Sequence, residues 1–255
     1  MESILQVKEN YKEDDSIKSL ETYAYQPISG TQLNEAGQIT IRIENQDAFF
    51  YPRRSWLQFE GKLVEVNGDA YVSGKLISLV NNGLMNLFDN IKYELSGQEI
   101  ESIYHPGQLT TMFGASRYST CFNAGAGLNQ CWSMDTSKGE AATSNLGFKA
   151  RQDYIIEQSI PLGTFRFAID LEHIFGFCED YNKVMYGFTH ALTLIRGASS
   201  DNAVFRATGV AAATVVLEKI SWMMPKVEPS DEKRYQLYKS IEQRETLAVR
   251  GLTGG

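Results

Sequence analysis

Gly37-Gln38-Ile39-Thr40-Ile41-Arg42-Ile43-Glu44 alternates without a break: Ile39, Ile41 and Ile43 share one face, while Thr40, Arg42 and Glu44 share the other. A side-chain period of two belongs to a strand with one face in a core and one toward water. Residues 56–66 repeat the pattern, with Leu57, Phe59, Gly61 and Leu63 opposite Gln58, Glu60 and Lys62, before Asn67-Gly68-Asp69 turns the chain. Ile91, Tyr93 and Leu95 alternate again, Ser96-Gly97-Gln98 turns, and residues 99–103 return as a hairpin partner.

Working outward, further strands are expected at 20–25, 152–160, 164–171, 188–196 and 213–224. Residues 76–88 are apolar but broken by Asn81-Asn82-Gly83, which gives two short pieces, one of them open to helix. His105-Pro106-Gly107 opens a short helix through Arg117, with Leu109, Met112 and Phe113 on one side. Residues 119–147 are rich in Gly, Ser, Asn and Thr and show no period, as expected of a long functional or mobile loop. The strands are expected to end over 225–230, where Ser230 caps a helix from 231 to about 245, with Asp231 and Glu232 suited to its N-terminus.

Strands without a βαβ rhythm predict an all-β fold. The chain length favours an antiparallel eight-stranded jelly-roll sandwich, with one or two short inserted helices and a C-terminal helix. Its core is expected to hold Ile39, Ile41, Leu57, Phe59, Phe165, Phe167, Leu192, Leu194, Val215 and Leu217. The expected organisation is a flexible arm (1–18), the jelly roll (19–228), the C-terminal helix (229–246) and a flexible tail (247–255).

Charge narrows the function. The chain carries a net charge of −7 and has no dense basic run; Arg53-Arg54 and Lys233-Arg234 are isolated pairs. Gripping phosphates requires Lys and Arg to neutralise them, so no direct nucleic-acid binding is expected. The N-terminus shows no signal-peptide core, no Asn-x-Ser/Thr sequon occurs, and no apolar run approaches the ~18 residues that span a bilayer. The expectation is a chain of the cytoplasm or nucleus that binds no membrane. Cys121, Cys131 and Cys178 form no CxxC pair; a Cys121–Cys131 bridge is open to them, but three buried or half-buried thiols are expected.

Catalytic signatures are missing. His105, His173 and His190 form no HxH or HExxH pattern, and His173 reads as a packed loop residue. No GxSxG elbow occurs, and no glycine-rich stretch ends in GK[ST]. Cys178 is followed by Glu179-Asp180, an acidic setting that blunts a thiol. No catalytic, cofactor-binding or metal-ligating residue is therefore assigned, no cofactor is implied, and a non-enzymatic protein is expected.

The segment Asn90-Ile91-Lys92-Tyr93-Glu94-Leu95-Ser96-Gly97-Gln98-Glu99-Ile100-Glu101 resembles a hairpin of the double-jelly-roll major capsid proteins of nucleocytoplasmic large DNA viruses and Polinton-like elements. That hairpin has the form V-E-[IL]-x-I-G-G-Q-x-I-D and precedes a short helix, as here at 107–117. Residues 165–177 (FRFAIDLEHIFGF) are similar to the family's Y-x-L-x-[IV]-P-L-x-F-W-F strand, and 185–196 to its A-L-P-L-I-A-L-x-Y-H-x-V strand. Order and spacing agree over roughly residues 20–225, and the Gly97-Gln98 turn is the most specific part.

The resemblance implies a virion shell protein that self-associates, as a trimer or another homo-oligomer, and meets other capsid proteins. Loop 119–147 and the N-terminal arm are the candidate contacts. Family members carry two rolls and this chain one, so it reads as a fragment, a processed product, a truncated copy or a single-roll relative. Its last residues, Leu252-Thr253-Gly254-Gly255, resemble L-x-G-G protease sites or form a plain glycine-rich tail. The competing reading is a lectin-like or TNF-like ligand-binding jelly roll without catalysis.

Overall fold

The strands assemble as the alternation requires. In the computed structural model, residues 17–28, 30–137 and 144–242 are described. They form strands β1 (Ile17–Tyr25), β2 (Gly37–Ile43), β3 (Phe49–Phe50), β4 (Trp56–Glu65), β5 (Ile77–Leu79) and β6 (Phe88–Leu95). The series continues with β7 (Gln98–Tyr104), β8 (Thr164–Asp170), β9 (Met185–Tyr186), β10 (His190–Arg196), β11 (Val204–Arg206) and β12 (Ala213–Pro229). The helices are α1 (Pro106–Arg117), α2 (Thr120–Ala124), α3 (Ala126–Asn129), α4 (Leu146–Gln152), α5 (Gly176–Asp180) and α6 (Asp231–Glu242).

One sheet runs β8-β4-β12, with β1 on the far side of β12; β3 and β9 extend it beyond β4 and β8. The other runs β2-β10-β6-β7, and every pair in both is antiparallel. Successive long strands cross from one sheet to the other, except β6–β7, which are joined by a two-residue turn. Both turn residues, Ser96 (φ 47°) and Gly97 (φ 80°), are left-handed, the twist that a tight hairpin prefers. Four long strands facing four, with crossing connections, make a jelly roll; β5 and β11 pair separately.

Register brings the apolar faces together. Leu192 lies between Ile41 and Tyr93, and Leu194 between Ile39 and Ile91. In the facing sheet Phe59 lies between Ile220 and Phe167, and Leu57 between Trp222 and Ile169. All ten expected core residues are buried. Gly61 interrupts the run because the chains crowd there: a Cβ would sit 2.5 Å from the Val216 carbonyl oxygen and 2.8 Å from the Phe165 ring.

Several expectations need correction. Residues 152–160 form no strand; α4 is followed by a wide turn at Asp153–Glu157. The Asn145 side chain caps α4 by accepting from the Phe148 amide (3.2 Å), and Ile155 and Ile156 are both buried. Adjacent residues of a half-buried strand point to opposite faces, whereas a helical turn buries both. β12 does not stop near Met224 but runs to Pro229; Pro225 joins through its carbonyl, which accepts from the Tyr51 amide at 3.0 Å.

Loop 119–147 is not featureless: α2, α3 and the start of α4 lie within it, and Trp132 is buried. The expected arm falls outside the described residues except for Ile17 and Lys18, which open β1. The tail and the helix beyond Glu242 also lie outside them.

Candidate functional site

Three places on this scaffold bring polar or exposed groups together. The first is where β8 ends. Asp170 closes the strand, and a 3-10 turn (Leu171–His173) is fixed by the Leu171 amide donating to the Ser55 carbonyl at 2.9 Å. One donor atom each from Asp170, Glu172 and His173 lies within 4.8 Å of the others, a spacing open to a cation.

All three groups already have protein partners. His173 Nδ1 donates to Gln130 Oε1 (2.8 Å), and Gln130 Nε2 donates to Asp170 Oδ2 (3.0 Å). Glu172 pairs with Arg53 at 3.2 Å. The His173 ring rests edge-on to Tyr118 and Phe122, with centroids 5.1 and 5.6 Å away. Burial raises the Asp170 pKa against the opposing pull of His173. The arrangement works as a tether fastening the α1–α3 segment to the end of β8, and His173 is packed as the sequence implied.

The other single-residue candidates scatter. His105 precedes α1 in a left-handed conformation (φ 50°), and His190 is buried in β10. Cys131 and Cys178 are buried, but Cys121 is exposed on α2, contrary to the expectation of three covered thiols; none is bridged. Burial lifts the Cys131 thiol to about 11 and raises Cys178 further, with Glu101 and Glu172 adding to Cys178. Cys178 is thus blunted chiefly by desolvation rather than by its neighbours Glu179 and Asp180.

The second place is the outer side of α1–α3. Met112 and Phe113, expected on one side of the helix, are 71% and 46% exposed. The helix instead buries Thr110 and Gly114, because a Cβ on Gly114 would fall 2.3 Å from the Trp132 ring. Leu128 and Met134 are exposed nearby in sequence. Between Pro106 and Met134, Arg117 is the only Lys, Arg, Asp or Glu. Its charge is spent on Glu179 (2.5 Å) and on the Phe113 ring (5.1 Å). Exposed apolar side chains without free charge are the composition of a contact core.

The third place is β1. It pairs only with β12 among the described strands and exposes Ile17, Leu20 and Tyr23, leaving one edge open to another strand. Sequence reading pointed near both surfaces, through loop 119–147 and the arm, but missed Met112, Phe113 and the β1 edge. The available signal was the charge-poor run itself.

The fold is an antiparallel jelly roll with exposed apolar side chains on the charge-poor α1–α3 segment and an open strand edge at β1. The chain belongs to the family of double jelly roll-like domains: the family's sequence model matches residues 77–251, more than half of the 255. Its structure is similar to the Faustovirus major capsid protein (TM-score 0.54, 8% identity, covering 93% of this chain and 59% of that one). It is also similar to the mavirus major capsid protein (TM-score 0.51, 11% identity, 89% and 50% covered). The chain therefore spans between half and three-fifths of the length of these two capsid proteins. A search of curated proteins found no significant match.

Proposed function

We propose that this chain is a structural capsid protein, a shell-forming unit of a double-stranded DNA virus or virus-derived element that self-associates into oligomeric capsomers. The observation that carries the proposal is an antiparallel two-sheet jelly roll, in a double jelly roll-like family, with a charge-poor apolar face on α1–α3. The reading includes no catalysis, a place in the virion, in the cytoplasm or nucleus before assembly, and contacts with other capsid proteins.

The acidic charge of −7 favours contact with protein over direct contact with the genome. In the same reading, residues 19–228 are the shell-building unit. Light scattering on the purified chain, combined with a glycan array, tests the proposal. Oligomers that grow with concentration, without sugar binding, are expected; a monomer that binds a sugar tightly would establish the ligand-binding alternative.

A further inference from the structure

His190 occupies a place in the core where a charge has no counterpart. It opens β10, between Ile43 of β2 and Leu95 of β6, with its side chain between the sheets. Phe50 stands edge-on at 5.4 Å, and the Tyr93 and Trp222 rings lie 6.2 and 6.4 Å away. Nδ1 is 2.8 Å from the Tyr93 hydroxyl, whereas Nε2 is buried with no hydrogen-bond partner among the described residues. A neutral imidazole fits this site, sharing one hydrogen bond with Tyr93 through Nδ1 whose donor is set by the ring tautomer. An imidazolium must carry protons on both nitrogens, and its Nε2–H meets no acceptor among the described residues.

We propose that His190 is an acid-sensitive latch between the two sheets, whose protonation loosens the jelly roll at the end where β3, β6, β10 and β12 meet. The inference stands on core geometry and does not depend on the capsid reading. Burial alone lowers the His190 pKa from 6.5 to about 4; no neighbouring carboxylate offsets it. From β6 the facing titratable group is Tyr93, which burial keeps protonated throughout the acid range, as it does Cys178 of α5 behind it. β2, β3 and β12 present Ile43, Phe50 and Trp222, none of which titrates. Arg42, Glu44 and Glu94 lie at the same end of the sheet, but strand alternation sends Arg42 and Glu94 to the opposite, solvent-facing side, and Glu44 is exposed just past β2.

Because the folded state prefers the neutral ring, the stability it confers is full above the unfolded pKa of 6.5. It is lost as pH falls from there toward 4, and is constant below. Glu157 and Glu228, whose pKa values are lowered, add their own acid loss, so the latch must be read as a difference between proteins.

The test is urea unfolding of the wild type and His190→Gln at pH 7.5 and 4.5. The wild-type unfolding constant is expected to rise on the order of 10- to 100-fold more than that of the variant over this interval. Equal pH dependence overturns the proposal. Should His190→Gln fail to fold, histidine-ring NMR of the wild type decides the matter. A His190 ring still neutral at pH 5 in the native protein supports the latch, and titration near 6.5 overturns it.

Discussion

Trp222→Ala is expected to lower the unfolding free energy by about 3–5 kcal/mol, measured by urea denaturation at pH 7.5. Trp222 is the largest of the fully buried side chains, and it sits where the two sheets meet. Within its own sheet it lies between Leu57 of β4 and Tyr25 of β1, and across the core its ring stands edge-on to Tyr93 at 6.0 Å. Alanine leaves a cavity that four strands cannot close together. Against a total stability of roughly 5–15 kcal/mol, such a loss brings a domain near its limit. Trp222→Phe is expected to cost less, about 1–2 kcal/mol. The smaller ring keeps much of the packing and removes a buried indole N–H that has no partner among the described residues.

Arg151→Leu is expected to cost about 3 kcal/mol, for a different reason. Arg151 is buried in α4, where Nε donates to the Leu79 carbonyl (2.9 Å) and Nη1 to the Ser133 carbonyl. Nη2 donates to Asp135 Oδ1 at 2.6 Å. One guanidinium thus ties α4 to β5 and to the segment before residue 136. Leucine fits the apolar surroundings but leaves those carbonyls short of a donor. Asp135 is nearly half exposed, so its stranded charge finds water and adds little. Arg151→Lys is expected to recover only a minor part, because a single ammonium cannot reproduce the three-way fork. Hydrogen exchange at 131–135 should rise sharply in both variants, and unchanged protection there would show that Arg151 is not the tie.

Where one strand pattern met one buried face, the sequence was readable. Ile39, Ile41, Leu57 and Phe59 announced their burial through alternation alone, and the Ser96-Gly97 turn placed the β6–β7 hairpin. The errors arose where contacts between distant segments overrode local pattern. Leu109, Met112 and Phe113 marked one side of α1 without saying which way it faces; the close approach of Gly114 to Trp132 sets the helix so that Met112 and Phe113 face outward. Residues 152–160 carry strand-forming isoleucines, yet the Asn145 cap begins a helix that carries them into a turn.

The tether of Asp170 and His173 through Gln130 joins groups about forty residues apart, and no spacing rule anticipates it. His190 was visible as a histidine in a strand. Its lone nitrogen became apparent only once Phe50, Tyr93 and Trp222 were placed around it.

The most direct measurement is electron microscopy of the purified chain. Rings, tiles or closed shells built from repeated copies are the predicted result, with α1–α3 or the β1 edge at the joints. A uniform field of single particles at every concentration and salt condition would contradict the account, leaving a jelly roll that does not build shells by itself.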